Sequence, residues 1–178
     1  MSFLRVDLAG LNGLLDTMGE RAEEGARPSA QAASQVLYDE VKKNVSAIGR
    51  RSGNLDRSIY QAYSEANSGA GRATYHVSWN PRKAPHGHLL EFGYIQRYVS
   101  YMGKDGNWYT AVRPSMRGKK APSRTASPAV KAAYYVPLAT PKQVAARPFV
   151  RKAQSAFAIA QLAAEQKLLE IINHGPGK

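Results

Sequence analysis

The sequence predicts an α+β fold. A small antiparallel sheet packs against N-terminal helices and a long C-terminal helix, with a basic β-hairpin and loop inserted at about 95–146. Three observations carry this. Apolar residues recur at helical spacing over 14–48 and again over 149–172. Between these stretches lie two runs rich in Tyr, Ile, Val and Trp, separated by Gly/Ser/Asn turn residues. A second such pair of runs flanks an Asp-Gly turn within a strongly cationic segment.

The elements follow in chain order. Residues 3–8 alternate apolar and polar positions, as a short opening strand does. Gly10-Leu11-Asn12-Gly13 reads as a turn, with Asn12 placed to cap a helix bearing Leu14, Leu15, Met18 and Ala22. Pro28-Ser29 reads as the end of that helix and the start of another, Ser29 capping Ala33, Val36, Leu37, Val41, Val45 and Ile48. Lys42, Lys43, Arg50 and Arg51 gather toward its C-terminal end, where cations suit the helix dipole. Residues 58–64 and 74–79 form a predicted hairpin around 65–71. His88-Leu89-Leu90-Glu91-Phe92 is too short for periodicity to choose between a helical turn and a strand.

Residues 98–102 and 108–112 predict a second hairpin around Gly103-Lys104-Asp105-Gly106-Asn107. Residues 113–128 show no periodicity and read as a flexible basic loop. Residues 132–139 read as a returning strand that stops before Pro141. Pro148 suits the first position of a last helix. Its stripe is Phe149, Ala153, Ala156, Phe157, Ala160, Ala164, Leu168, Ile171 and Ile172, ended by Asn173-His174-Gly175-Pro176. From 148 to 172 it would run roughly 37 Å.

The chain has 178 residues, which fits a single domain, 1–178, with an extended arm at about 95–146. The absence of cysteine excludes disulfides, thiol chemistry, zinc ribbons and iron–sulfur sites. No apolar run is long enough to span a bilayer. The net charge of +12 is concentrated: 95–146 hold nine basic residues against Asp105 alone. Such a segment seeks polyanions or acidic protein surfaces, although a solvated loop has the same composition.

Chemistry is scarce. His86, His88 and Glu91 are the one metal-like constellation, yet neither a strand nor a helix brings all three to one face. Neither a phosphate-binding glycine loop nor a nucleophile elbow occurs. The expectation is a protein without catalytic, metal or cofactor residues. The notable cluster is instead aromatic and cationic: Tyr98, Tyr101, Trp108 and Tyr109 with Arg113, Arg117, Lys119, Lys120 and Arg124. Stacking rings with cations grip single-stranded nucleic acid, and the same residue types make protein interfaces. A basic nucleic-acid-binding protein is therefore the alternative to an assembly protein.

Three ordered stretches resemble one family. Ser52-Gly53-Asn54-Leu55-Asp56-Arg57-Ser58-Ile59 lies between a helix and a hairpin. His88-Leu89-Leu90-Glu91-Phe92-Gly93-Tyr94 carries a hydrophobic-Glu-Phe-Gly signature. Arg147-Pro148-Phe149-Val150-Arg151-Lys152-Ala153 is a Pro-Phe box opening the last helix. With Val6-Asp7-Leu8-Ala9-Gly10-Leu11, they resemble the tail-completion, or neck (head–tail connector), family of long-tailed double-stranded DNA bacteriophages. The resemblance makes Gly53, Leu55, Glu91, Phe92, Gly93, Pro148 and Phe149 fold residues. It implies a virion protein, assembled in the host cytoplasm without a membrane. It also implies a homo-oligomeric ring, six-fold, between neighbouring neck and tail-terminator or tail-tube proteins, with DNA in the channel. The basic, Tyr-rich 95–146 departs from the short link the family would have there.

Overall fold

The computed structural model describes residues 9–49 and 53–174, with side chains from residue 13 onward. The predicted strand at 3–8, Arg50, Arg51 and the Gly175-Pro176 stop lie outside the described residues. Tertiary contacts divide the chain into two units, Met1–Glu91 with Pro148–Lys178, and Phe92–Arg147.

The first unit contains α1 (Ala9–Ile48), α2 (Asn54–Ser58), β1 (Ile59–Tyr63), β2 (Tyr75–Trp79), most of α3 (Gly87–Phe92) and α5 (Phe157–His174). α1 corrects the two-helix reading: a single 40-residue helix runs through the expected Gly10–Gly13 turn and through Pro28. Neither Asn12 nor Ser29 is a cap. A proline inside a helix forfeits a hydrogen bond and costs about 3 kcal/mol. Here tertiary packing offsets that cost, because α5 lies along α1. A Cβ on Gly25 would come within 2.8 Å of Leu168 Cδ1, so the helices meet closely one turn before the proline. Ser29 is buried and its hydroxyl has no hydrogen-bond partner.

The first hairpin forms as its alternation predicts. β1 and β2 are antiparallel, with Ile59 opposite Trp79 and Tyr63 opposite Tyr75. The core joins Val41 and Val45 of α1, Leu55, Ile59, Ala84, Phe149 and Ala153. Residues 88–92 resolve as helix.

The last helix starts later than its proline suggested. Residues Arg151–Ala156 form a 3-10 turn before α5 begins at Phe157. The buried face is Ala153, Ala156, Ala160 and Ile171, while Phe157, placed on the stripe by spacing, is exposed. The tighter 3-10 turn accounts for this, since it shifts the phase of everything before 157 relative to the α-helix after it.

The second unit holds β3 (Tyr94–Tyr98), β4 (Ser100–Met102), β5 (Trp108–Thr110), α4 (Pro128–Tyr134) and β6 (Pro137–Val144). β4 pairs with β5 and β3 with β6, both antiparallel. The strand expected at 132–139 is instead the end of α4 followed by β6, which passes through Pro141. Ser127 explains the helix, because its hydroxyl accepts the Val130 N–H and Pro128 opens the first turn. Pro141 is tolerated because the ladder is irregular there: Gln96 faces Lys142 but Tyr98 faces Pro137.

Candidate functional site

Two features stand out in the geometry: a buried carboxylate clamp in the first unit and a basic, aromatic second unit.

The clamp is built on Glu91, whose residue is 1% exposed. Its Oε2 accepts the backbone N–H groups of Phe149 at 2.8 Å and Val150 at 3.0 Å. Its Oε1 accepts the Arg151 N–H at 2.9 Å and Arg151 Nε at 3.2 Å, and the Arg151 guanidinium also donates to the Glu91 carbonyl. The carboxylate thus supplies from a distance the acceptors that the start of a helix lacks. Burial alone would push Glu91 up. The N–H donations of Arg151, Phe149 and Val150 and the Arg151 guanidinium together outweigh burial and hold it below the ordinary carboxylate value. Both oxygens are engaged in holding backbone, so Glu91 is a structural anion.

Around the clamp sit the other motif residues. Phe149 is fully buried, its ring edge-on to Trp79 at 5.3 Å, and its carbonyl accepts from Asn44 Nδ2 at 3.2 Å. Leu55 is buried, Pro148 half-buried, and Phe92 is 63% exposed. Gly53 precedes α2 with φ 72°. Gly93 has φ 72°, and a Cβ there would meet the Val144 carbonyl oxygen at 2.7 Å, so both conformation and space demand glycine. His86 and His88 are exposed, and no group able to hold a metal ion occurs among the described residues.

In the second unit, Tyr101 lies opposite Tyr109 and Met102 opposite Trp108 across β4 and β5, and all four side chains are exposed. Asp105, the unit's one acid, holds the turn. It accepts the Asn107 N–H at 3.1 Å, Asn107 Nδ2 at 2.7 Å and the Tyr109 hydroxyl at 2.5 Å. The hydroxyl of Tyr109, then the amide of Asn107, lower the Asp105 pKa, and the same bond raises that of Tyr109. Tyr98 belongs elsewhere. It is half-buried beside Tyr135, ring centroids 5.4 Å apart, and Tyr135 in turn meets Tyr134 at 4.9 Å.

The cations Arg113, Arg117, Lys119, Lys120 and Arg124 are all exposed. Arg113 Nε donates to the Ala132 carbonyl at 3.1 Å, and the Lys119 carbonyl accepts the Tyr134 hydroxyl at 2.8 Å. The 113–128 stretch is thus tied to α4 through the Arg113 side chain and the Lys119 carbonyl. Arg117 lines an open cavity of about 490 Å³ with Tyr101, Ala111, Val112, Gly118 and Tyr134. Sequence reasoning missed Tyr134 and Tyr135 as the partners that organise this unit. Their adjacency to a capped helix (Ser127-Pro128) was the available signal.

Compared with known proteins, residues 11–93 match the family model described as "Bacteriophage HK97-gp10, putative tail-component". The matched stretch ends at the Glu-Phe-Gly signature and agrees with the phage tail and neck resemblance. No curated protein and no solved structure matches. The match supports a tail-related structural role.

Proposed function

We propose, with the tail-component match over 11–93 as the premise, that this chain is a structural protein of the phage neck. In this reading it forms a ring, six-fold, that completes the tail and joins it to the DNA-filled head. The match is the observation that carries the proposal. The second unit supports it: exposed rings and cations with one acid are what a surface offers to an acidic protein partner or to DNA in a channel. Phe92–Arg147 acts as the arm. Tyr101, Trp108 and Tyr109 supply apolar anchors, and Arg113, Arg117, Lys119, Lys120 and Arg124 supply charge.

The test is electron microscopy of particles made without this gene. DNA-filled heads beside separate tails are expected; normally joined virions would overturn the reading. Deleting 113–127 should leave a folded chain that fails to join heads to tails. The alternative, a nucleic-acid-binding protein acting alone, predicts DNA affinity that falls steeply with added salt.

A further inference from the structure

Among the described residues, the first unit has two exposed apolar helix surfaces, and they differ in kind. On α1, Leu14, Leu15 and Met18 lie on the side of the helix that carries Gly25 and Ser29. From Gly25 onward that side is covered by α5: Leu168 and Ile171 reach the Gly25 position, and Arg21 Nη1 donates to the Ile172 carbonyl at 2.9 Å near the end of α5. Before Arg21, residues 13–20 are exposed on every side. Leu14, Leu15 and Met18 are 56%, 56% and 40% exposed. Asp16, Glu20 and Glu23 occupy the opposite side, so this overhang is an amphipathic helix with one apolar stripe.

α5 has the second surface. Its face toward α1 uses Ala160 and Ile171. On the opposite face, Ile159, Leu162, Gln166, Leu169 and Asn173 recur at spacings of three and four, the pattern of a helix-packing seam with polar positions that fix register. Ile159, Leu162 and Leu169 are 56–61% exposed.

We infer that the α1 overhang of one copy packs on the outer seam of α5 in a second copy of this chain. The overhang continues an existing helix–helix interface past the end of its own α5. Eight residues of overhang span about 12 Å and the seam from 159 to 169 about 15 Å, so the two match in length. Each chain carries one overhang and one seam of different sequence. Where it is not reciprocated within one pair, a contact between them is head-to-tail, and head-to-tail contacts form a ring when their rotation closes. This deepens the ring proposed above and rests on it only for the number of subunits.

The chain has no cysteine, so introduced pairs report cleanly. The double variant Leu15→Cys/Leu162→Cys, oxidised mildly as purified full-length chain and in extracts of infected cells, should give a ladder of covalent species beyond the dimer. Leu162→Cys alone should stay largely monomeric. Met18→Glu, at an exposed position, should abolish the ladder with the circular dichroism unchanged. No cross-link in either setting overturns the contact. So does an undiminished ladder with Met18→Glu, or an equal yield of dimers from Leu162→Cys alone, which would mean a two-fold seam. Virions joined normally without the gene would sink the neck reading and leave a ladder standing. Unjoined heads and tails with no ladder would sink this contact alone.

Discussion

The two units are stabilised by different means. The first has a core: Val41, Val45, Ile59 and Phe149 are buried, and Glu91 binds the backbone just beyond the point where the chain returns from the second unit. In the second, no side chain is buried among the described residues. Two-stranded ribbons, the rings of Tyr98, Tyr134 and Tyr135, and loop hydrogen bonds hold it together. Two-stranded ribbons are marginal alone in water. The difference separates a unit with a buried core from a unit whose exposed rings are suited to burial against a partner.

The largest effect that sharpens this contrast is at Phe149. Truncation to alanine empties the centre of the first unit and should cost about 3–5 kcal/mol, read as a fall in urea midpoint. The same truncation at Trp108 should cost no more than about 0.5 kcal/mol by the same measurement. Equal losses would show that both units depend on a common core.

Next is Glu91→Gln. It removes the charge that three N–H groups and a guanidinium share, at about 2–3 kcal/mol near neutrality. The sign with pH follows from its lowered pKa. Stabilisation from this carboxylate is complete above the ordinary value of 4.5 and is lost as pH falls below that through the folded value. Denaturation of both proteins across pH should therefore show the gap closing on the acid side. A gap that stays constant down to acid pH would mean that the clamp does not depend on charge.

Much of the first unit was legible in the sequence. Val41 and Val45 at helical spacing, the hairpin over 59–79 and the burial of Phe149 all followed from periodicity and turn chemistry. What sequence reasoning lost was lost to tertiary packing: Pro28 reads as a break until α5 is laid beside Gly25. Glu91 lay inside a recognised signature, yet which groups it binds was hidden, because those amides are about sixty residues away. In the second unit, the Asp-Gly hairpin and the strand at 137–139 were legible, while the last turn of α4 was read as strand because Tyr134, Tyr135 and Val136 favour one. Only the cap at Ser127 marks the helix.

That cap gives the smallest and most local test. Ser127→Ala removes the acceptor for the Val130 N–H, a loss of about 1 kcal/mol. If the second unit is stabilised locally, the cost stays in it. Amide exchange should quicken across α4, and at Tyr135, whose N–H bonds the Lys131 carbonyl at 2.8 Å. α1 amides around Val41 should exchange as before, since local opening in one cooperative unit leaves the other's protection unchanged. Faster exchange throughout α1 would instead mean that the two units open together. The contrast would then be one of composition alone, and the second unit would share the first unit's stability before any partner arrives.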